Sequence, residues 1–139
     1  VSVAVEANNF AVISRRLVLK KLAQSFPDPA TAAEALECLG TYRDNEVTMN
    51  LVHVAIIKLS EGMLWRLREL VREVRRTDVR NTAILQAAIE PEQHKLYVER
   101  HKLVKAGGDT RFMKKISPKK IAAMKNRDHA QWVAWLSSE

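Results

Sequence analysis

The chain has 139 residues, 47% of them hydrophobic and 28% charged, with four glycines, four prolines and one cysteine. That composition fits a single globular domain and excludes collagen-like, mucin-like and disulfide-stapled classes, each of which needs a large excess of glycine, proline or cysteine. The formal net charge of +7 is unevenly placed: residues 1–94 carry 12 basic and 12 acidic side chains, residues 95–127 carry 11 basic ones against Glu99 and Asp109, and residues 128–139 add only Asp128 and Glu139.

Apolar residues recur at three- and four-residue spacing, whereas sustained period-two alternation is hard to find, so the expected fold is all α. A compact bundle of about six to eight helices with a basic helical C-terminal appendage is predicted. The first helix is expected from about Asn9 to Phe26, with Phe10, Ile13, Leu17, Val18 and Leu22 buried and Arg16 and Lys20 outside. Pro27-Asp28-Pro29 stops it and starts the next, because Asp28 caps free N–H groups and Pro29 suits a first helical position. Ala32, Leu36 and Leu39 share a face of this second helix, and Gly40 is expected to end it in the left-handed conformation.

Met49, Val52, Ile56 and Leu59 mark a third helix, apolar on most sides and therefore central, ending near Gly62. A fourth runs from about Met63 to Arg76 with Leu64, Leu67, Val71 and Val74 inward, and its charges are spaced to pair along the helix. Asp78 caps a fifth that reaches Ile89, and Pro91 opens a sixth that ends at Gly107-Gly108. Beyond lie a short element at 110–115, a helix opened by Ser117-Pro118, a turn at Asn126 to Asp128 and a last helix carrying Trp132, Trp135 and Leu136. Ser117 to Leu136 thus has helix-turn-helix proportions, with Ala122 at the crossing and Asn126 in the turn. A simple helical hairpin closing the fold accounts for the same pattern. The domain division expected is a bundle body, 1–90, and a basic helical segment, 91–139, packed on it or extending from it.

No stretch approaches the roughly 18 apolar residues of a membrane span; the longest run free of acids, lysine and arginine is Val47 to Ile57. The apolar start, Val1 to Val5, lacks a basic n-region, and a chain opening on Val reads as a processed product or fragment. Cys38 has no intramolecular partner, which suits a reducing compartment, cytoplasm or nucleus.

Neither phosphate-cradling glycine motifs, nor G-x-S-x-G, nor H-E-x-x-H occurs. Cys38 lies in an apolar helix pattern and reads as a core residue rather than a nucleophile. His94 and His101, with Glu90, share one helix at spacings a metal would tolerate, but paired Glu-x-x-His motifs and cysteine pairs are absent, so no metal or cofactor is expected. His53 reads as an interior histidine held by a local partner. The expected protein is not an enzyme.

The basic segment is the functional lead. Lys95, Arg100, Lys102, Lys105, Arg111, Lys114, Lys115, Lys119, Lys120, Lys125 and Arg127 are interleaved with Tyr97 and Phe112, a mix that neutralises phosphates and adds stacking. Lys102, Lys105, Arg111, Lys114, Lys115, Lys119, Lys120, Lys125 and Arg127 are the expected nucleic-acid-binding residues. Arg111, Lys114, Lys115, Lys119 and Lys120 stand out because they surround a hinge and a helix N-terminus. The bland reading is a solvated face that confers solubility. Glu34 to Leu70, about a quarter of the chain, resembles the N-terminal domain of transcription elongation factor TFIIS through Ala35, Leu36, Leu39, Val47-Thr48, Ile57, Leu64 and Leu67. That resemblance implies a helical module docking a peptide or helix from a transcription protein. Two functions therefore compete: nucleic-acid (or other polyanion) binding in transcription or replication control, and protein–protein docking on an apolar groove or on Trp132 and Trp135.

Overall fold

The computed structural model describes residues 13–76, 78–108 and 115–139, with the side chains of 78–80 left out. The described residues form an all-α bundle of seven helices with no strand: α1 (Arg15–Ser25), α2 (Pro29–Leu39), α3 (Glu46–Ser60), α4 (Leu64–Arg76), α5 (Asp78–Ile89), α6 (Pro91–Lys105) and α7 (Pro118–Ser137). The α3 helix is the axle, packed against α1, α4 and α5. Its residues 52–57 are all buried. Periodicity is lost there because neighbours cover it on every side, as its mostly apolar sequence requires.

Local chemistry explains most boundaries. Ser14 Oγ accepts the Leu17 N–H at 3.1 Å and starts α1, later than the Asn9 expected, and Phe10 lies outside the described residues. Asp28 accepts the Thr31 N–H and Pro29 occupies the first helical position, as the tripeptide predicts. Asn45 caps α3 through the Thr48 N–H. Ser117 caps α7 through the Lys120 N–H.

Three expectations change. Gly40 is right-handed, at φ −63°; the chain leaves α2 through tightened bonds from Thr41 and Tyr42 to Cys38 and Leu39, reinforced by Thr41 Oγ1 on the Cys38 carbonyl at 2.7 Å. Asp78 is the first residue of α5, not the residue before it, and its side chain lies outside those described. The turn at Asn126 to Asp128 does not exist: α7 is one helix of 20 residues. Neither proline nor glycine breaks it, an interior Asn or Asp costs at most about 0.7 kcal/mol, and Asp128 spends its carboxylate on another helix. Helix-turn-helix and helical-hairpin readings of this stretch both fall. The element expected at 110–115 lies, except for Lys115, outside the described residues.

The buried core joins Val18 and Leu22 of α1 and the capping Phe26 to Leu39 of α2, α3, Leu67, Val71 and Val74 of α4, Ile84 and Ile89 of α5, and Trp132 of α7. Trp132 is 1% exposed and stacks on Trp135 with centroids 5.6 Å apart. The C-terminal half of α7 therefore belongs to the same core as the first five helices.

Candidate nucleic-acid interface

Between Glu90 and Arg127 no described side chain is buried. Distal α6 instead shows solvent Tyr97, Leu103 and Val104, and Ile121 is partly exposed at the start of α7. Tyr97 and His101, one turn apart, stack with centroids 6.0 Å apart and planes 9° from parallel, giving α6 an exposed aromatic step.

Seven of the nine expected phosphate contacts can be placed. Lys102 and Lys105 are exposed near the end of α6, Lys115 lies just before α7, and Lys119 and Lys120 occupy its first turn. Lys125 is exposed further along. None of these six lysines pairs with a carboxylate among the described residues. Arg111 and Lys114 lie outside the described residues. Arg127 is engaged: its Nε and Nη2 donate to the two Glu92 oxygens, each at 2.8 Å, and the guanidinium holds the Glu92 carboxyl below its ordinary range. Arg127 ties α7 to α6 through a two-pronged bond.

The cations do not share one helix face. With about 100° of rotation per residue, Lys120 and Arg127 fall on one flank of α7's buried edge, Lys119 lies opposite Asp128, and Lys125 lies roughly 140° from Lys120. Lys119 and Lys120 oppose the helix dipole, which favours anions at that end. Their presence there contributes nothing to helix stability and leaves the first turn strongly positive.

The other chemical groups are accounted for by structure. His94 Nδ1 is 3.1 Å from Gln86 Oε1, and among the described residues no cluster of three His, Cys, Asp or Glu side chains is assembled to hold a metal. The Cys38 thiol is half-buried, and burial raises its pKa against the opposing influence of Arg68 and Arg75. His53 is fully buried, as its apolar helix suggests. Arg15 Nη1 donates to its Nδ1 at 2.9 Å, so Nδ1 must be the unprotonated nitrogen and Nε2–H faces the Tyr42 carbonyl at 3.3 Å. The sequence did not reveal the central roles of three polar residues: Lys21, Lys58 and Asp128. Lys58 Nζ donates to the Ala88 carbonyl at 2.5 Å and to Gln131 Oε1 at 2.7 Å, and burial lowers its pKa. Only an isolated lysine inside a largely apolar run advertised it.

No family model, curated protein or solved structure matches this chain. The likeness of Glu34 to Leu70 to the TFIIS N-terminal domain accordingly gains nothing from them.

Proposed function

We propose that the protein is a non-enzymatic helical binding module that contacts nucleic acid through the lysines of distal α6 and the start of α7. The observation that carries this reading is a run of exposed lysines, Lys102, Lys105, Lys115, Lys119 and Lys120, without carboxylate partners among the described residues, on or next to helical stretches in which no described residue is buried. Such groups bind phosphates by displacing counterions, so affinity falls with salt by a slope of about 0.7–0.9 per contact. Stacking on Tyr97 and His101 is available beside them, and base reading is not required.

Anisotropy titrations of labelled DNA and RNA at two salt concentrations test this. Binding that is tight at low salt, weaker at high salt, and shallower in salt dependence when these five lysines become glutamine is the expected result. Absence of binding at low salt, or an unchanged slope in the glutamine variant, removes the proposal.

The competing reading is docking of a partner helix or peptide. Tyr97, Leu103 and Val104 favour it, since together they leave apolar area on α6 uncovered. The tryptophan pair does not, because Trp132 is spent on the bundle core.

A further inference from the structure

The α4 helix holds a second concentration of positive charge. Its inward edge is Leu67, Leu70, Val71 and Val74. By helical rotation Arg75, Arg68, Arg72 and Arg76 follow one another beside that edge within an arc of about 100°. Trp65 lies in the same arc, one turn ahead of Arg68, and is 57% exposed. The line from Trp65 to Arg76 is about 16 Å long at 1.5 Å per residue. Alongside runs an open groove of ≈ 500 Å³, lined by Cys38, Thr41, Val71 and the four arginines.

The fold accounts for only part of this row. Arg68 bonds Glu34 at 2.9 Å across to α2. Arg72, Arg75 and Arg76 pair with no carboxylate among the described residues, and Glu69, spaced for a pair with Arg72, makes none. Favourable interaction with the helix dipole accounts for Arg75 and Arg76, which sit in the last turn, but not for Arg72. A tryptophan more than half exposed at the head of the row gains little from folding.

We propose that Trp65 and the α4 arginines form a second binding site, selective for single-stranded nucleic acid. Arginines at three- and four-residue spacing follow a phosphate backbone, and the indole offers a face on which an unpaired base stacks. A duplex presents its phosphates but keeps its base faces covered, and polyglutamate supplies charge but no ring for Trp65. This site does not depend on the α6 and α7 surface proposed above.

Intrinsic fluorescence provides the test on the full chain, because Trp132 is buried and Trp65 is the most exposed of the three indoles. Oligodeoxythymidine, a mixed-sequence duplex and polyglutamate are titrated separately. Quenching by oligodeoxythymidine, well beyond that by the other two at equal charge concentration, is expected. Labelled-oligonucleotide affinity should fall about tenfold in Trp65→Leu, and the salt slope should drop by about 2 when Arg72, Arg75 and Arg76 become glutamine. Both losses should recur in a chain whose five α6 and α7 lysines are already glutamine, which separates this site from the other. Equal quenching by polyglutamate or duplex, or undiminished affinity in Trp65→Leu, overturns the proposal. Loss of all single-strand binding in the lysine variant alone does so too.

Discussion

Asp128, buried in the middle of α7, caps the N-terminus of α6: its two carboxylate oxygens accept the backbone N–H groups of Glu92 at 3.0 Å and Gln93 at 3.1 Å. The residue in the usual capping position, Glu90, makes no side-chain cap bond. The negative charge also meets the positive end of the α6 dipole. Gln93 Nε2 adds a third bond at 3.0 Å, and the neighbouring Arg127–Glu92 fork clamps the same junction from outside.

Asp128→Ala should therefore destabilise the protein by about 2–3 kcal/mol, combining a lost cap with donors left unsatisfied in a buried site. Asp128→Asn, which keeps one acceptor oxygen, should lose less. Urea melts would read this as a lower midpoint. Arg127→Gln should cost far less than Asp128→Ala, because its pair is exposed and screened by water; equal losses at 127 and 128 would show that the cap is not the stronger tie.

The opposite end of α7 is tied to α1 by Lys21, which is only 1% exposed. Its ammonium donates to the Trp135 carbonyl, to the Ser138 carbonyl at 3.1 Å, and to Ser138 Oγ at 2.9 Å. It also lies 4.9 Å from the Trp135 ring centre. A cation at a helix C-terminus complements both the free carbonyls and the dipole. Burial, followed by repulsion from Lys20, lowers the Lys21 pKa. Lys21→Met preserves the stem but removes the donor, so about 1–2 kcal/mol should be lost. Amide exchange should accelerate in the last turn of α7 and leave α3 protected.

What was legible in the sequence was local. Pro27-Asp28-Pro29, Pro91 and Ser117-Pro118 each act on their own neighbours, and the helix starts they imply are where the chain places them. Long-range ties could not be read the same way. Asp128 looked like a turn residue because its partners, Glu92 and Gln93, are about three dozen positions away, and nothing beside Lys21 in the sequence points to Trp135 or Ser138. The α4 row was hidden by bookkeeping: residues 1–94 balance 12 bases against 12 acids, and a balanced sum conceals arginines gathered on one flank. Projecting 65–76 onto a helical wheel would have exposed it. The lysines of 95–127 stood out because they are dense in the sequence itself, although that density did not reveal the engagement of Arg127 with Glu92.

His53 makes stability depend on pH in a definite direction. Burial, aided by the charge of Arg15, lowers its pKa from an ordinary 6.5 to about 4. The unfolded chain therefore takes up a proton near pH 6.5 while the folded one resists until about 4. Stability from this residue is intact above pH 6.5, is lost progressively as pH falls toward 4, and amounts to about 3 kcal/mol at 1.4 kcal/mol per tenfold difference in proton affinity. His53→Gln, which does not titrate, should be less stable at pH 7 yet show a flatter decline between pH 6.5 and 4. An unaltered slope in that variant would assign the acid sensitivity to other groups.

The α3–α4 connection allows a paired test of backbone strain. Glu61 and Gly62 are consecutive left-handed residues, at φ 50° and 76°. Glycine occupies this region freely, whereas a side-chain-bearing residue is held there at a cost of about 1–2 kcal/mol. Glu61 is exposed, and its side chain makes no bond among the described residues. Glu61→Gly should accordingly stabilise the protein by about 0.5–1 kcal/mol, after the added entropy of the unfolded chain is discounted. Gly62→Ala should do the reverse, because a Cβ there would stand 3.0 Å from the Ser25 carbonyl oxygen in addition to the unfavourable φ. A loss of about 1–2 kcal/mol is expected, seen as a fall of several degrees in the melting temperature. These adjacent substitutions should thus move the midpoint in opposite directions, since one relieves a strained backbone and the other imposes strain beside the Ser25 carbonyl. Two shifts of the same sign would mean that the connection adjusts as a unit and that neither residue is held in place by its own dihedral angles.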